Sequence, residues 1–505
     1  MASVEVWQAQ LSGMLFNSYE FIFIYLPVVL AGFFILGARH PRAAATWLVI
    51  ASLGFYAYWS VGALPLLVLS ACTNYLFGTA IARATAREDR RAGSLLFAAV
   101  SLNLVVLGFF KYANFFIRLA NHTTSVFFHG HALDALDIVL PIGISFFTFT
   151  QIAFLVDCRE GKVRETNFTH YLLFVTYFPH LVAGPIIHHS QMMPQFARRA
   201  TYALSADSIS AGLILFTIGL VKKVLVADGD LASYSNAIFN AAADGTEPHA
   251  LEGWAAAIAY TLRIYFDFSG YTDMALGLSK LFNIELPINF ASPFKATNII
   301  EFWRRWHMSL SAFLRDYLYI PLGGNRKGKL RRHINLLVTM LLGGLWHGAG
   351  GTFLIWGGLH GLYLVANHLW RDLVPRGLEQ FLPRPLARAL GVMVTFASVV
   401  IAFVWFRAAG TPAALHMLKG MFGFSSGVPS AFAEAIEGVP LLTLCLGMAW
   451  VWLLPGSNKL VERIKEVKMA PWGYVESAVA VFYGLLFAIA VDAMSTHSEF
   501  LYFQF

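Results

Sequence analysis

Three places in this sequence hold residues whose types and spacing could do chemistry. The first is Gly343-Gly344-Leu345-Trp346-His347-Gly348-Ala349-Gly350, inside residues 333–370, a stretch free of Asp, Glu, Lys and Arg. A histidine that stays neutral there can accept a proton near pH 7, which is what a general base does. Glycines on both sides remove side-chain bulk and would let a substrate approach closely. A histidine hydrogen-bonded between helices as packing glue would look the same in sequence, and the residues alone leave both readings open. The second place is Glu301-Phe302-Trp303-Arg304-Arg305-Trp306-His307-Met308-Ser309-Leu310-Ser311. Here His307 follows Trp303 at i+4. Arg304 and Arg305 could receive an anionic group, although interfacial anchoring explains the same residues. The third is Arg263-Ile264-Tyr265-Phe266-Asp267-Phe268-Ser269-Gly270-Tyr271-Thr272-Asp273, with two carboxylates six residues apart. A paired-carboxylate hydrolase fits those types but not a chain without a soluble sugar cleft. Asp267 and Asp273 are instead expected to orient a base or to pair with arginines. No GxSxG elbow, Walker A loop, GxGxxG or HExxH occurs.

The elements that must position these residues follow from composition. In 505 residues, 57% are apolar, 13% are charged and 44 are Phe. A soluble chain of this length would make roughly three domains, but a soluble surface carries about twice this charge. Lipid must therefore replace water over most of the surface. This excludes disorder, a soluble multidomain enzyme and a disulfide scaffold, and it disfavours a porin-type barrel. The net charge of +7 sits in short bursts between apolar stretches, so it marks cytoplasmic loops and no nucleic-acid partner is expected. Cys72, Cys158 and Cys445 lie far apart, without CxxC or metal-ligand spacing, and no metal is expected. Eight of the 16 histidines, His40, His122, His129, His131, His249, His333, His416 and His497, fall in loops or at ends and read as solvated or structural.

Runs free of charged residues at 43–82 (split near Gly62 to Pro65), 92–110, 138–156, 166–197, 333–370, 389–406 and 438–458 predict membrane helices, with weaker ones near 207–227, 251–268 and 472–492. At around 20 residues per span the fold class is an all-α polytopic membrane protein with roughly eleven or twelve crossings. Phe21 to Ala38 has no basic segment before it and reads as a first membrane helix rather than a leader. The bursts Arg83/Arg87/Arg90/Arg91, Arg159/Lys162/Arg164, Arg326/Lys327/Lys329/Arg331/Arg332 and Lys459/Arg463/Lys465/Lys468 belong on the cytoplasmic side. Alternation then puts the N-terminus outside. Residues 170–190 have basic flanks at both ends and contain Gly184-Pro185, which predicts a re-entrant or cytoplasm-facing hairpin rather than a crossing, and a candidate cavity wall. Residues 263–332 are too polar to span. A helix from about Asn298 to Tyr317 would align Phe302, Trp306, Leu310, Phe313 and Tyr317 in one stripe and bring Glu301 to Arg304 and Arg305. His347 lies fourteen residues beyond His333, on the order of 20 Å into the bilayer at about 1.5 Å per residue, where an ionisable group is a functional hypothesis by default.

Taken in order, these segments resemble a membrane-bound O-acyltransferase of the bacterial alginate O-acetyltransferase type. The resemblance rests on Pro141-Ile142-Gly143-Ile144-Ser145-Phe146-Phe147, on Phe178-Pro179-His180-Leu181-Val182-Ala183-Gly184-Pro185-Ile186 and on Asp267 to Asp273. It continues through Trp303 to Ser311, Leu314 to Asn325 and Leu345-Trp346-His347-Gly348, and runs from Phe16 to the aromatic ending Phe500 to Phe505. It implies a single membrane domain over 1–505 with a catalytic core at about 138–370, a ring of helices around a thinned centre with a funnel on each face. His347 matches the family's catalytic histidine and His307 its second signature histidine. Asp267, Tyr271, Asp273, Trp303, Arg304, Arg305, Asp316, Asn325 and Trp346 become candidates for binding or orienting the reactants. The implied activity moves an acetyl group from a cytoplasmic thioester, acetyl-CoA or a carrier protein, toward a secreted polysaccharide such as alginate. The resemblance further implies no bound cofactor, a periplasmic acetyltransferase partner and a place in the bacterial inner membrane. Peptidoglycan O-acetylation and D-alanylation of teichoic acid are the alternatives within the family. A transporter or export scaffold is the alternative outside it, though the repeat symmetry of many transporters is absent.

Overall fold

The computed structural model describes residues 14–127, 133–373, 383–424, 439–468, 473–494 and 500–501. His129, His131, His497, the side chain of His122 and the last four residues fall outside them. Among the described residues every regular element is a helix, without strands. Contacts divide the chain into two compact units, Met1–Leu213 with Ala275–Pro287, and Ile214–Met274 with Ile288–Phe505.

The first unit holds α1 (Leu26–Gly37), α2 (Pro41–Trp59), α3 (Leu64–Ala86), α4 (Arg91–Phe127), α5 (Ile144–Arg159), α6 (Phe168–Thr176), the single turn α7 (Phe178–Leu181) and α8 (His189–Ala197). α1 follows a π-helical turn at Phe21–Tyr25. Proline in the first turn of α1, α2 and α3 starts each helix where a missing N–H costs nothing. Phe16, Phe21, Tyr25, Phe55 and Phe178 pack ring on ring at 5.0–6.5 Å. Between α3 and α4, Asn74 and Asn103 exchange amide hydrogen bonds of 3.2 and 2.6 Å in the interior, which keeps two apolar helices in register. Gly143 adopts φ +71°, and a Cβ there would meet the Leu181 carbonyl oxygen at 2.7 Å, so glycine is required. The hairpin expected at 170–190 is indeed broken, into α6, α7 and the Gly184-Pro185 turn, and residues 173–187 are buried throughout. Broken backbone is tolerated when packed in protein.

α9 (Ala206–Val221), which continues as a π-helical turn Lys222–Ala227, and α11 (Ala250–Leu281) contribute residues to both units. The second unit adds α10 (Asp230–Ala243), α12 (Ile299–Trp303), α13 (Met308–Leu314), α14 (Gly328–His347), α15 (Gly351–Leu373), α16 (Arg384–Arg407), α17 (Thr411–Met421), α18 (Val439–Leu453), α19 (Ser457–Lys468) and α20 (Gly473–Asp492).

Four described helices are long and apolar enough to cross a membrane, Leu64–Ala86, Arg91–Asn121, Ala206–Ala227 and Arg384–Arg407, or up to five with the bent pair Leu441–Leu453 and Ser457–Ile464. An uncharged run reports apolarity, not one straight helix, and several such runs fold as shorter or bent pieces buried against protein. Residues 263–281, expected to be too polar to span, form the buried second half of α11. The helix expected from Asn298 to Tyr317 is broken between Trp303 and Met308. The extended backbone of Asn289 to Ala291 takes its place beside that break: Ala291 N donates to Arg305 O at 3.0 Å and Met308 N to Asn289 O at 3.0 Å.

Where α9 meets α11 in the second unit, two glycines let the backbones touch. A Cβ on Gly219 would lie 2.5 Å from Gly270 O, and one on Gly270 2.8 Å from Gly219 O. This approach delivers Lys222 and Lys223 to the two aspartates of α11. Lys222 Nζ donates to Asp273 Oδ2 at 2.7 Å and to Ser457 Oγ at 2.8 Å, and Ser457 Oγ donates to the same carboxylate at 2.6 Å. Lys223 Nζ lies 2.7 Å from Asp267 Oδ1 and 2.7 Å from Asp228 Oδ1, while Leu501 N donates to Asp267 Oδ2 at 3.1 Å. The partners of Asp267 and Asp273 are thus lysines, not arginines. The lysine side chains are only 4% and 2% exposed, and an unpaired buried charge costs several kcal/mol. Lys222→Met is therefore expected to destabilise the chain by about 3–5 kcal/mol, and Lys222→Met/Asp273→Asn to recover most of that loss. Thermal unfolding in detergent measures both. Equal melting of the single and double variants would remove the pair from the fold's foundations.

Candidate functional site

His347 closes α14. The helix is continuous from Gly328, so the rise of about 20 Å between His333 and His347 holds. Its ring is 5% exposed and meets Trp346 at 4.8 Å, Trp356 of α15 at 5.0 Å and Phe406 of α16 at 5.3 Å, each edge to face. α14 and α15 can close this tightly because a Cβ on Gly357 would lie 2.3 Å from Met340 O and one on Gly344 2.3 Å from Phe353 O. The glycines expected to open room for a substrate are filled by protein. Gly344 receives the backbone of α15, and Gly348 the Phe353 ring, whose Cε2 would come within 2.2 Å of a Cβ.

His307 is wholly buried and stands at the start of α13 in the left-handed region, φ 43° and ψ 55°. For a non-glycine residue this costs of order 1–3 kcal/mol and persists only where the surroundings impose it. Asn289 imposes it. Its Oδ1 accepts from Ser309 N at 3.1 Å and Ser309 Oγ at 2.9 Å, and lies 3.2 Å from His307 Nδ1. An oxygen already accepting two bonds acts as acceptor toward the ring too, which assigns the proton to Nδ1 and the lone pair to Nε2. Burial pushes this imidazole down to about 3, so His307 is neutral. Its ring packs on Phe268 at 4.8 Å and on Trp346 at 6.2 Å. Both signature histidines therefore rest against the Trp346 indole.

A third histidine completes the group and was not singled out in the sequence. His360 of α15 is wholly buried, stacked 6° from parallel on Phe302 and 4.8 Å from Trp356 and 5.1 Å from Trp303. Neither of its ring nitrogens has a hydrogen-bond partner, nor do the indole nitrogens of Trp303 and Trp356. Native proteins rarely leave buried polar atoms unpartnered away from functional sites. The sequence signal existed: His360 shares the uncharged stretch with His347 and follows Trp356 at i+4.

The other candidates sort clearly. Trp303 and Trp346 line the histidine group. Arg305 Nη2 binds Glu301 Oε1 at 2.5 Å, the helical pairing expected. Desolvation raises the Glu301 carboxyl, but bonds from Thr297 N and Oγ1, each 2.8 Å, and the Arg305 charge outweigh it and hold it below its ordinary value. Arg304 and Asn325 are exposed, and exposed Asp316 is bound bidentately by Arg315 at 2.7 and 2.8 Å. The loop of Asn325 is fixed by Asn335 Nδ2, which donates to Gly324 O at 2.9 Å. Asp267 and Asp273 belong to the lysine pairs, and Tyr271 packs on Phe500 at 4.6 Å.

Residues 55–407, which include the histidine group, match the MBOAT, membrane-bound O-acyltransferase, family. A peptidoglycan O-acetyltransferase of Helicobacter pylori is 39% identical over 97% of this chain and 98% of its own. A probable alginate O-acetylase AlgI of Pseudomonas aeruginosa is 40% identical over 86% of this chain and 80% of its own. A second, of Pseudomonas putida, is 36% identical over 97% and 100%. With apolar helices long enough to cross a bilayer and that match over most of its length, this chain belongs to the membrane-bound O-acyltransferase family.

Proposed function

We propose that this chain transfers an acetyl group from a cytoplasmic thioester, acetyl-CoA or an acylated carrier protein, for O-acetylation of a secreted polysaccharide such as alginate. It would do so in the bacterial inner membrane with a periplasmic acetyltransferase as partner. The observation that carries the reading is the convergence of His347 and His307 on Trp346, beside the unpartnered nitrogens of Trp303, Trp356 and His360. His347 acts as general base. It takes the proton of an acceptor hydroxyl as the oxygen attacks the thioester carbonyl, and returns it to the departing thiolate. His307, its lone pair on Nε2, accepts a hydrogen bond from the acceptor and orients it. The indole N–H groups of Trp303 and Trp356 are donors suited to the oxyanion that forms at the carbonyl. The basic residues from Arg326 to Arg332 favour a phosphate-bearing donor or an acidic carrier. Peptidoglycan as acceptor is the second reading, favoured by the nearly end-to-end match to the Helicobacter pylori protein.

His347→Ala is expected to lower acetyl transfer at least about 100-fold while the chain still inserts and folds. Acetyl esters on exopolysaccharide and on muropeptides, measured in cells carrying wild-type or variant protein, report both the loss and the acceptor. Normal acetylation by the variant would sink the assignment. An acetylated His347 trapped during turnover would make the residue a nucleophile instead of a base. Asn289→Ala should slow transfer roughly tenfold without moving the KM for the donor, because it releases the His307 ring rather than a binding contact. A rise in KM at constant kcat would place Asn289 in donor binding.

A further inference from the structure

In the first unit, three nitrogen and oxygen donors converge that the proposed acyl transfer does not use. Asp157, near the end of α5, is wholly buried. Its Oδ2 lies 3.2 Å from His189 Nδ1 and 2.5 Å from His188 Nε2. One ligand atom from each of the three residues falls within 4.8 Å of the other two. His189 is 5% exposed, whereas the His188 side chain is 31% exposed and opens the cluster to solvent. The Asp157 carboxylate has one more cation nearby, Lys162 Nζ at 3.9 Å from Oδ1, itself 60% exposed and paired with Glu160.

We infer that Asp157, His188 and His189 form a binding site for a divalent transition-metal ion of the zinc class. Two imidazoles and one carboxylate suit zinc, cobalt or nickel rather than magnesium or calcium, which take oxygen ligands. Donors arranged tetrahedrally at zinc distances stand about 3.3 Å apart. The separation of Asp157 from His189 already matches, that of Asp157 from His188 widens by about 0.8 Å, and no pair stands more than about 1.5 Å beyond the tetrahedral value. The solvent side at His188 leaves the fourth position to water. His188 also has the outer contact of a ligating histidine: its Nδ1 lies 2.7 Å from Ser190 Oγ. With the proton on Nδ1 the ring donates to Ser190 and turns the Nε2 lone pair to the ion. The competing arrangement without metal needs the opposite tautomer, in which Nε2 donates to Asp157 and Nδ1 accepts from Ser190 N at 3.4 Å. The ion would tie the end of α5 to the start of α8, across the Gly184-Pro185 break.

The experiment uses the full chain in detergent, purified without a histidine tag, stripped with chelator and titrated with Co²⁺ or Zn²⁺. The expected result is one metal per chain, with visible d–d absorption of four-coordinate cobalt. His189→Ala and Asp157→Asn should each weaken binding more than about 100-fold, since even an orienting partner of a ligand is worth 10–100-fold. His416→Ala, whose ring bonds Ala242 O at 3.0 Å, should bind as wild type does. Because Asp157→Asn could compromise folding, the partly exposed His188→Ala supplies a second variant, and the wild-type titration stands without any. Wild-type protein that takes up less than a tenth of an equivalent, or binding that survives both His189→Ala and His188→Ala, overturns the proposal and leaves a hydrogen-bonded cluster.

Discussion

Charge in an apolar chain must be neutralised where it stands, and the second unit is organised around that constraint. Lys222 and Lys223 occupy a helix otherwise fit to cross a membrane, and each reaches a carboxylate of α11 at 2.7 Å. The pairs exist only because Gly219 and Gly270 bring two backbones into contact. Ser457 at the start of α19 and Leu501 near the C-terminus join the same carboxylates. A single crossing thus fixes α9, α11, α19 and the last described residues together. Replacing such pairs by apolar side chains can be as stable, so what the pairs add is register: a helix shifted by one residue would strand a charge.

The histidine group depends on that frame through α11. Phe268, one residue after Asp267, forms one wall of His307, and Asn289, in the extended stretch after α11, sets the His307 backbone and ring proton. On the other side the α14–α15 hairpin sets His347 against Trp356. The two histidines come from separate elements and meet at one indole. The arrangement of the histidine group rests on two backbone devices, a left-handed histidine and a glycine-packed hairpin, each costly unless the packing around it is complete.

The sequence made the chemistry legible because charge is scarce. His347 stood out as an ionisable residue deep in an uncharged stretch, and the ordered motifs around it carried the family resemblance. Bursts of arginine and lysine marked loop ends, and Gly184-Pro185 marked a break that the structure contains. His360 was equally visible in principle, in the same stretch as His347, but a histidine on an apolar helix face has no signature until its neighbours are known. The Asp157, His188 and His189 cluster was hidden for another reason: its donors are 31 residues apart in sequence, a spacing that no ligand pattern anticipates.

Composition, hydropathy and motif order by themselves determined an all-helical membrane protein and its family and singled out His307 and His347 as candidates, because these properties are local or periodic along the chain. Tertiary structure alone decided the rest. It turned Asp267 and Asp273 toward lysines, broke the helix predicted over 298–317 and filled the glycines beside His347 with Phe353 and the backbone of α15. The physical reason is common to all three. A side chain's partner is chosen by which helices can approach closely enough to satisfy buried polar groups, and that choice is made between residues distant in sequence.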